Sequence, residues 1–290
     1  MRLSRRRFMT LSAAAVMLPQ GAQAARWQGR MFGAEVSLEL VGAREAVSAD
    51  LKDVQDRLAE IEQRFSLFNP VSELSRLNNE GVVDASSDMI DVSRIASAVY
   101  LATGGAFDPT VQSIWEALAM GEEPSARAVG FDRVFVEATR VRLGEGQKLT
   151  LNGIAQGFAT DCVRALLVER GYRNALINIG EYAALGGPFR VGLSDASVGR
   201  LGAINLENKS VATSSPDAMK VGERSHILSP NGGRPLWSTV SVEAESAALA
   251  DACSTAFCLM PRSEIEQAKH ALGLSRVFLV DLEGDLSTLS

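Results

Sequence analysis

"ATDCVRALLVERGYRNALINIG", residues 159–180, decides how this chain combines helix and strand. Ala159–Gly171 reads as a helix closed by a glycine, and Asn174–Gly180 reads as a strand. A βαβ repeat would need another helix next, and none comes. Pro188–Asp195, Gly202–Asn208, Ser210–Ser214 and Trp237–Glu245 follow as further strands. A helical stretch, "ALADACSTAFCLM" (Ala248–Met260), a helix over Arg262–Leu272 and a strand over Arg276–Val280 close the order. Runs of strands between helices predict an α+β fold, with mixed, largely antiparallel sheets flanked by helices.

On the N-terminal side of that stretch, Glu35–Leu40 alternates like a strand. Val47, Leu51, Val54, Leu58, Ile61 and Phe65 then recur at steps of four and three, predicting an amphipathic helix. Phe65–Gly81 reads as a polar loop. Helical patterns return around Met89–Thr103 and after Pro109, and Arg133–Leu143 reads as a hairpin. No linker, low-complexity tract or short repeat interrupts residues 25–290, so a single domain is expected there. With 290 residues, 46% of them hydrophobic, the chain can bury a large core. Its net charge of -6, with no basic run beyond the first residues, argues against a nucleic-acid surface.

Residues 1–24 stand apart. A basic start, an apolar run over Leu11–Leu18 and the ending Ala22-Gln23-Ala24 predict an export signal, and Ser4–Met9 resembles a twin-arginine signal. The expectation is a periplasmic protein cut near Ala24. The apolar run is too short to span a bilayer, so no stable membrane insertion is expected. Loss of the signal removes Arg2, Arg5, Arg6 and Arg7 but no acid, leaving the mature chain more acidic still. Cys162, Cys253 and Cys258 lack metal-site spacing with the two histidines. Buried thiols are expected, and one disulfide stays open.

Several motifs carry candidate chemistry. Asp251 and Thr255, four apart, share one helix face and offer two oxygens to a hard cation; an N-terminal Asp with a Thr bonded to backbone is the competing reading. "TLNGIAQGFATD" (Thr150–Asp161) runs from a predicted strand through Gly153 and Gly157 into a helix. Such a start suits an anion, and a structural turn explains it equally well. "SHILSPNGGRP" (Ser225–Pro235) sets His226 beside a turn, as a base, a donor or an ordinary hairpin histidine. His270 reads as a solvated surface residue. In "GGAFDPTV" (Gly104–Val111), Asp108 reads as an N-cap with Pro109 at the first helical position. No G-x-S-x-G elbow or Ser-His-Asp order supports a serine hydrolase.

In chain order, "FSLFNPVSELSRLN", "GGAFDPTV", "LNGIAQGFATD", "ALINIG", "VATSS", "SHILSPNGGRP" and "ADACSTAFCLM" resemble the ApbE family of FAD:protein FMN transferases over residues 31–282. The resemblance implies Mg²⁺ bound by Asp251, Thr255 and the Ala155 carbonyl. It implies attack of a Thr or Ser hydroxyl of a target protein on the FMN-side phosphorus of FAD, with AMP leaving. Gly153, Ile154, Gln156 and Gly157 would cradle phosphate, and His226 and Asp251 would be catalytic. Ser72, Glu73, Asn78, Phe107, Asp108 and Thr110 would line the flavin cleft. The implied acceptor is an exported or membrane-bound redox flavoprotein.

The chain also departs from the family pattern. Gln156 stands where a Lys is usual, Ser229-Pro230 where Asp-Pro is usual, Gly232 where Thr is usual, and Gly180-Glu181-Tyr182 where Gly-Gly-Asp is usual. Glu181 and Tyr182 are expected to occupy space near the nucleotide. Two further readings therefore accompany the transferase: a flavin-binding or delivery accessory protein with little transfer activity, and a Mg²⁺-dependent FAD pyrophosphatase.

Overall fold

The computed structural model describes residues 24–31, 33–41, 47–123, 125, 128–195, 197–221 and 224–290. The expected export signal, apart from Ala24, lies outside these residues. The chain begins with β1 (Ala24–Met31), β2 (Ala34–Val41), α1 (Val47–Phe65), α2 (Glu73–Glu80), β3 (Val82–Asp84) and α3 (Ser87–Ala102). After a short 3-10 turn over Pro109–Val111 come α4 (Gln112–Met120), β4 (Phe135–Val136), β5 (Arg140–Arg142) and α5 (Ala155–Glu169). Next are β6 (Ala175–Asn178), β7 (Tyr182–Leu185), β8 (Phe189–Asp195), β9 (Gly199–Leu206) and β10 (Ser210–Ser214). The order ends with β11 (Lys220–Val221), β12 (Arg224–Ser225), β13 (Thr239–Ala244), α6 (Ala247–Phe257), α7 (Arg262–Ala271), β14 (Arg276–Val280) and β15 (Leu286–Leu289).

The framework is an eight-stranded sheet in the order β1-β2-β6-β7-β10-β13-β14-β15. Every neighbouring pair in it is antiparallel, so the α+β expectation holds. Alternating side chains point to opposite faces, and both faces are covered. On one face Ala175, Ile177, Ala183, Ala212, Val240 and Val242 join the main core, where α5 and α6 pack on one another and on the central strands. On the other, Leu176, Tyr182, Ala184, Val211 and Phe278 meet Phe189, Val191 and Leu206 of the β8–β9 hairpin. The predicted stripe of α1 buries Val54, Leu58, Ile61 and Phe65, each worth about 1.5–3 kcal/mol in apolar surface removed from water.

Four differences from expectation have physical causes. Phe65–Gly81 is not all loop: Ser72 caps α2, its Oγ accepting the Ser75 N–H at 2.9 Å, and Gly81 ends it in the left-handed region. β1 and β15 are edge strands paired on one side only; β15 shows no clean alternation of apolar residues, whereas β1 does, with Ala25, Trp27 and Met31 packed on the core and Arg26, Gln28 and Arg30 exposed, a signal that sequence reasoning missed. The short β7 follows directly on a turn at Gly180, φ 95°. The strand expected before Gly153 is absent; Thr150 is tied instead to the 3-10 turn, its N–H donating to the Pro109 carbonyl at 2.9 Å. No described helix is long and apolar enough to cross a membrane. The cysteines are free thiols, Cys253 and Cys258 buried.

Candidate functional site

The start of α5 and the middle of α6 are locked together reciprocally. Asp161 on α5 caps α6, accepting the N–H groups of Ala247 (2.9 Å) and Ala248 (3.0 Å) and the Ser246 hydroxyl (2.6 Å). Asp251 on α6 reaches back, its Oδ2 accepting the Gly157 N–H at 3.0 Å. Gly157 permits this approach because a Cβ there would stand 2.3 Å from the Ala247 carbonyl oxygen. Asp251 therefore lies well inside its helix, and the reading of it as an N-terminal residue fails.

Thr255, one turn further on, faces Gly153 and Phe107: a Cβ on Gly153 would stand 3.0 Å from Thr255 Oγ1 and 3.4 Å from the Phe107 ring. Ser214 at the end of β10 completes a hydroxyl group cluster. Its Oγ lies 2.7 Å from Ser254 Oγ and 3.3 Å from Thr255 Oγ1. The structure thus brings Asp251, Thr255, Gly153, Ala155, Gln156 and Gly157 to one helix junction.

Electrostatically this junction is acidic, with its two carboxylates buried. Asp251 is 5% exposed, and burial pushes its carboxyl up to about 7 against the opposing hydrogen bond from Gly157. Glu181, in the turn before β7, is also buried; burial first, then the Asp251 charge, hold it well above the ordinary carboxylate range. Its Oε2 accepts the Thr213 N–H at 3.0 Å. Gln156 lies against Gly180, where a Cβ would stand 2.3 Å from its Nε2, and that buried nitrogen has no hydrogen-bond partner among the described residues.

The other predicted residues have scaffold partners. Ser72 caps α2 and donates to the Ser66 carbonyl at 2.6 Å, while Glu73 Oε1 accepts the Ser86 N–H at 2.7 Å. Asn78 pins Leu149, accepting its N–H (2.7 Å) and donating to its carbonyl (2.9 Å), which fixes the chain entering the Gly153 turn. Asp108 Oδ1 accepts the Thr110 N–H (2.8 Å) and hydroxyl (2.6 Å), and Thr110 Oγ1 accepts the Gly130 N–H (2.8 Å). Asp108 is thus the N-cap the sequence predicts. Ile154 is fully buried in the core.

His226 follows β12, its Nδ1 lying 3.0 Å from the Met219 carbonyl. A carbonyl only accepts, so Nδ1 carries the proton and Nε2 is left as the basic nitrogen. Burial lowers the imidazole below its ordinary value. Tyr182, expected near the nucleotide, packs instead under the β8–β9 hairpin, on the sheet face opposite the α5–α6 junction. His270 is exposed, as expected.

The donor set suits a hard cation. Among the described residues no cluster of three or more His, Cys, Asp or Glu side chains is placed to hold a metal. What the junction offers is carboxylate, hydroxyl and carbonyl oxygen, the chemistry of Mg²⁺ rather than Zn²⁺. Asp251 Oδ1 accepts no hydrogen bond among the described residues, leaving it available as a ligand. Sequence reasoning missed the roles of Asp161, Ser214 and Ser254. Ser246, a hydroxyl just before an apolar helix, was the one local signal of where α6 begins.

A model of the ApbE family matches residues 32–278. A curated FAD:protein FMN transferase of Rhodobacter capsulatus is 27% identical over 210 residues, 63% of this chain and 40% of that protein's length. The fold is similar to the flavin transferase ApbE from Vibrio cholerae, with TM-score 0.79 and 21% identity, covering 92% of this chain and 97% of that one. It is also similar to the apo form of Pseudomonas stutzeri flavinyl transferase ApbE, with TM-score 0.80 and 23% identity, covering 93% and 94%.

Proposed function

The chain belongs to the ApbE family, and from that membership we propose that it transfers FMN from FAD to a Thr or Ser hydroxyl of another protein, releasing AMP. The observation that carries the reading is the Gly157–Asp251 hydrogen bond, which sets a buried carboxylate and Thr255 at the glycine-lined start of α5. Asp251, Thr255 and the Ala155 carbonyl would hold Mg²⁺. When bound, the cation supplies charge neutralisation at the diphosphate.

The chain's own groups do the rest. The glycine-lined start of α5 turns the positive end of its helix dipole toward phosphate oxygens; the N–H groups of Ile154 and Ala155 are donated to the Leu151 carbonyl and that of Gly157 to Asp251, so the Gln156 amide, unpartnered in the described structure, is the neutral donor beside them. His226 Nε2 takes the proton of the incoming hydroxyl. The bond from the FMN-side phosphorus to the bridging oxygen breaks, and AMP leaves with that oxygen. The N-terminal signal supports export by the twin-arginine route. Residues 25–290 then act as one domain in the periplasm, on an exported or membrane-bound redox protein.

One observation favours a second reading, a flavin-delivery accessory protein: a neutral Gln156 and an acidic Glu181 next to the diphosphate cradle weaken its hold on an anion. The test is incubation of the purified protein with FAD, Mg²⁺ and an acceptor domain that a known active transferase modifies. Gain of one FMN mass on the acceptor with stoichiometric AMP supports transfer. AMP without modified acceptor supports a pyrophosphatase, and bound FAD with neither product supports the accessory role.

A further inference from the structure

We propose that Glu181 is a second carboxylate ligand of the cation site, so that this chain holds its divalent cation between Asp251 and Glu181 with Thr255 as a neutral oxygen donor. The inference rests on the reading of Asp251 and Thr255 given above and adds a ligand to it. Gly180 turns the chain at φ 95°, and alternation then separates the next two side chains. Tyr182 goes to the β8–β9 face, and Glu181 goes to the face covered by α5 and α6.

Glu181 is pinned there on several sides. Its backbone carbonyl accepts the Ile179 N–H at 3.1 Å and the Thr160 hydroxyl at 3.3 Å. Thr160 also donates to the Gln156 carbonyl at 2.8 Å, so Glu181 is tied to the α5 turn that donates to Asp251. Its Oε2 accepts the N–H of Thr213, the residue before Ser214, and Ser214 touches Thr255. The two acids are built alike: each gives one oxygen to a backbone N–H, and the other oxygen accepts no hydrogen bond among the described residues. Both are more than nine-tenths buried, at 5% and 7% exposure.

No described Lys or Arg forms a salt bridge to either acid. Burying two carboxylates at one helix junction without a cation is costly, because each loses hydration and each charge opposes the other. Burial and then the Asp251 charge raise the Glu181 carboxyl. A divalent cation facing both free oxygens offsets the repulsion and satisfies both, and hard oxygen donors suit Mg²⁺, Mn²⁺ or Ca²⁺.

The test is Mn²⁺ binding to the purified full chain without flavin, read from the electron paramagnetic resonance signal of free Mn²⁺. Glu181→Gln and Asp251→Asn are each expected to weaken binding at least about tenfold, the lower end of what loss of even an outer-shell partner costs. Circular dichroism checks the fold, and Glu181→Gly replaces Glu181→Gln if the latter does not fold. Wild-type affinity in the Glu181 variant overturns the proposal while leaving the Asp251–Thr255 site intact. So does a wild-type chain that binds no Mn²⁺, in which case the acids share a proton. Weakened binding in Glu181→Gln together with no AMP release by wild type would uphold the second ligand and sink the transferase reading.

Discussion

Gly157 and Asp251 meet through a single 3.0 Å hydrogen bond from backbone N–H to carboxylate, and that bond is possible only because residue 157 has no side chain. The atoms that a Cβ would strike are the Ala247 carbonyl and the Ala248 Cα, backbone of the facing helix that cannot swing aside. Packing and chemistry are therefore set by the same residue.

Gly157→Ala is expected to push α5 and α6 apart. Overpacking of this kind costs about 1–3 kcal/mol, and the same displacement pulls Asp251 from its donor. Urea denaturation should show a lower midpoint, and AMP release from FAD should fall with it. A variant with both unchanged would mean that the helices have slack the structure does not show.

Ser72→Ala should separate scaffold from site. Its hydroxyl caps α2 and bonds to the Ser66 carbonyl, so its loss should lower stability by about 1 kcal/mol and leave FAD affinity unchanged. A large loss of FAD affinity at unchanged stability would mean that Ser72 lines the flavin cleft.

Much of this was legible in the sequence because it was periodic or locally capped. The α1 stripe, the Asp108 cap and the i,i+4 pair of Asp251 and Thr255 depend on neighbours a few residues away. The edge strand β15 was not legible, since pairing on one side demands little of its composition; β1 was legible in the alternation of Ala25, Trp27 and Met31 with Arg26, Gln28 and Arg30, and was missed. Nor was Glu181. Its side reverses with one step of strand register, and its partner Thr213 lies on a strand reached only through the sheet order. Tyr182 shows the same limit: strand alternation sent it to the opposite face from the one expected.

Gln156→Lys places a cation where a buried amide nitrogen now lacks a partner among the described residues. FAD binding should tighten by about 1.5–3 kcal/mol, the worth of a hydrogen bond to a charged group. Titration of flavin fluorescence reads the change. Unchanged or weaker affinity would place the diphosphate elsewhere.

His226 should titrate below the ordinary imidazole value of about 6.5, because burial disfavours its charged form. A histidine lowered on folding contributes stability that is present above the ordinary value and is lost as pH falls through it toward the folded value. The ring is therefore neutral and basic at pH 7. Histidine NMR across pH reads the titration directly. His226→Gln should lower the rate of acceptor modification by roughly 10²–10⁴-fold, the usual worth of a general base. A rate near wild type would remove His226 from the chemistry.

The most direct measurement is acceptor modification by wild type and Asp251→Asn side by side, with FAD and Mg²⁺, following AMP and the acceptor mass together. Asn keeps the shape of the side chain and an oxygen for the Gly157 N–H but lacks the charge that holds a cation. Wild type should add one FMN mass per AMP released, and Asp251→Asn should remain folded and give neither. Turnover in Asp251→Asn equal to wild type would contradict the assignment of the α5–α6 junction as the site of reaction.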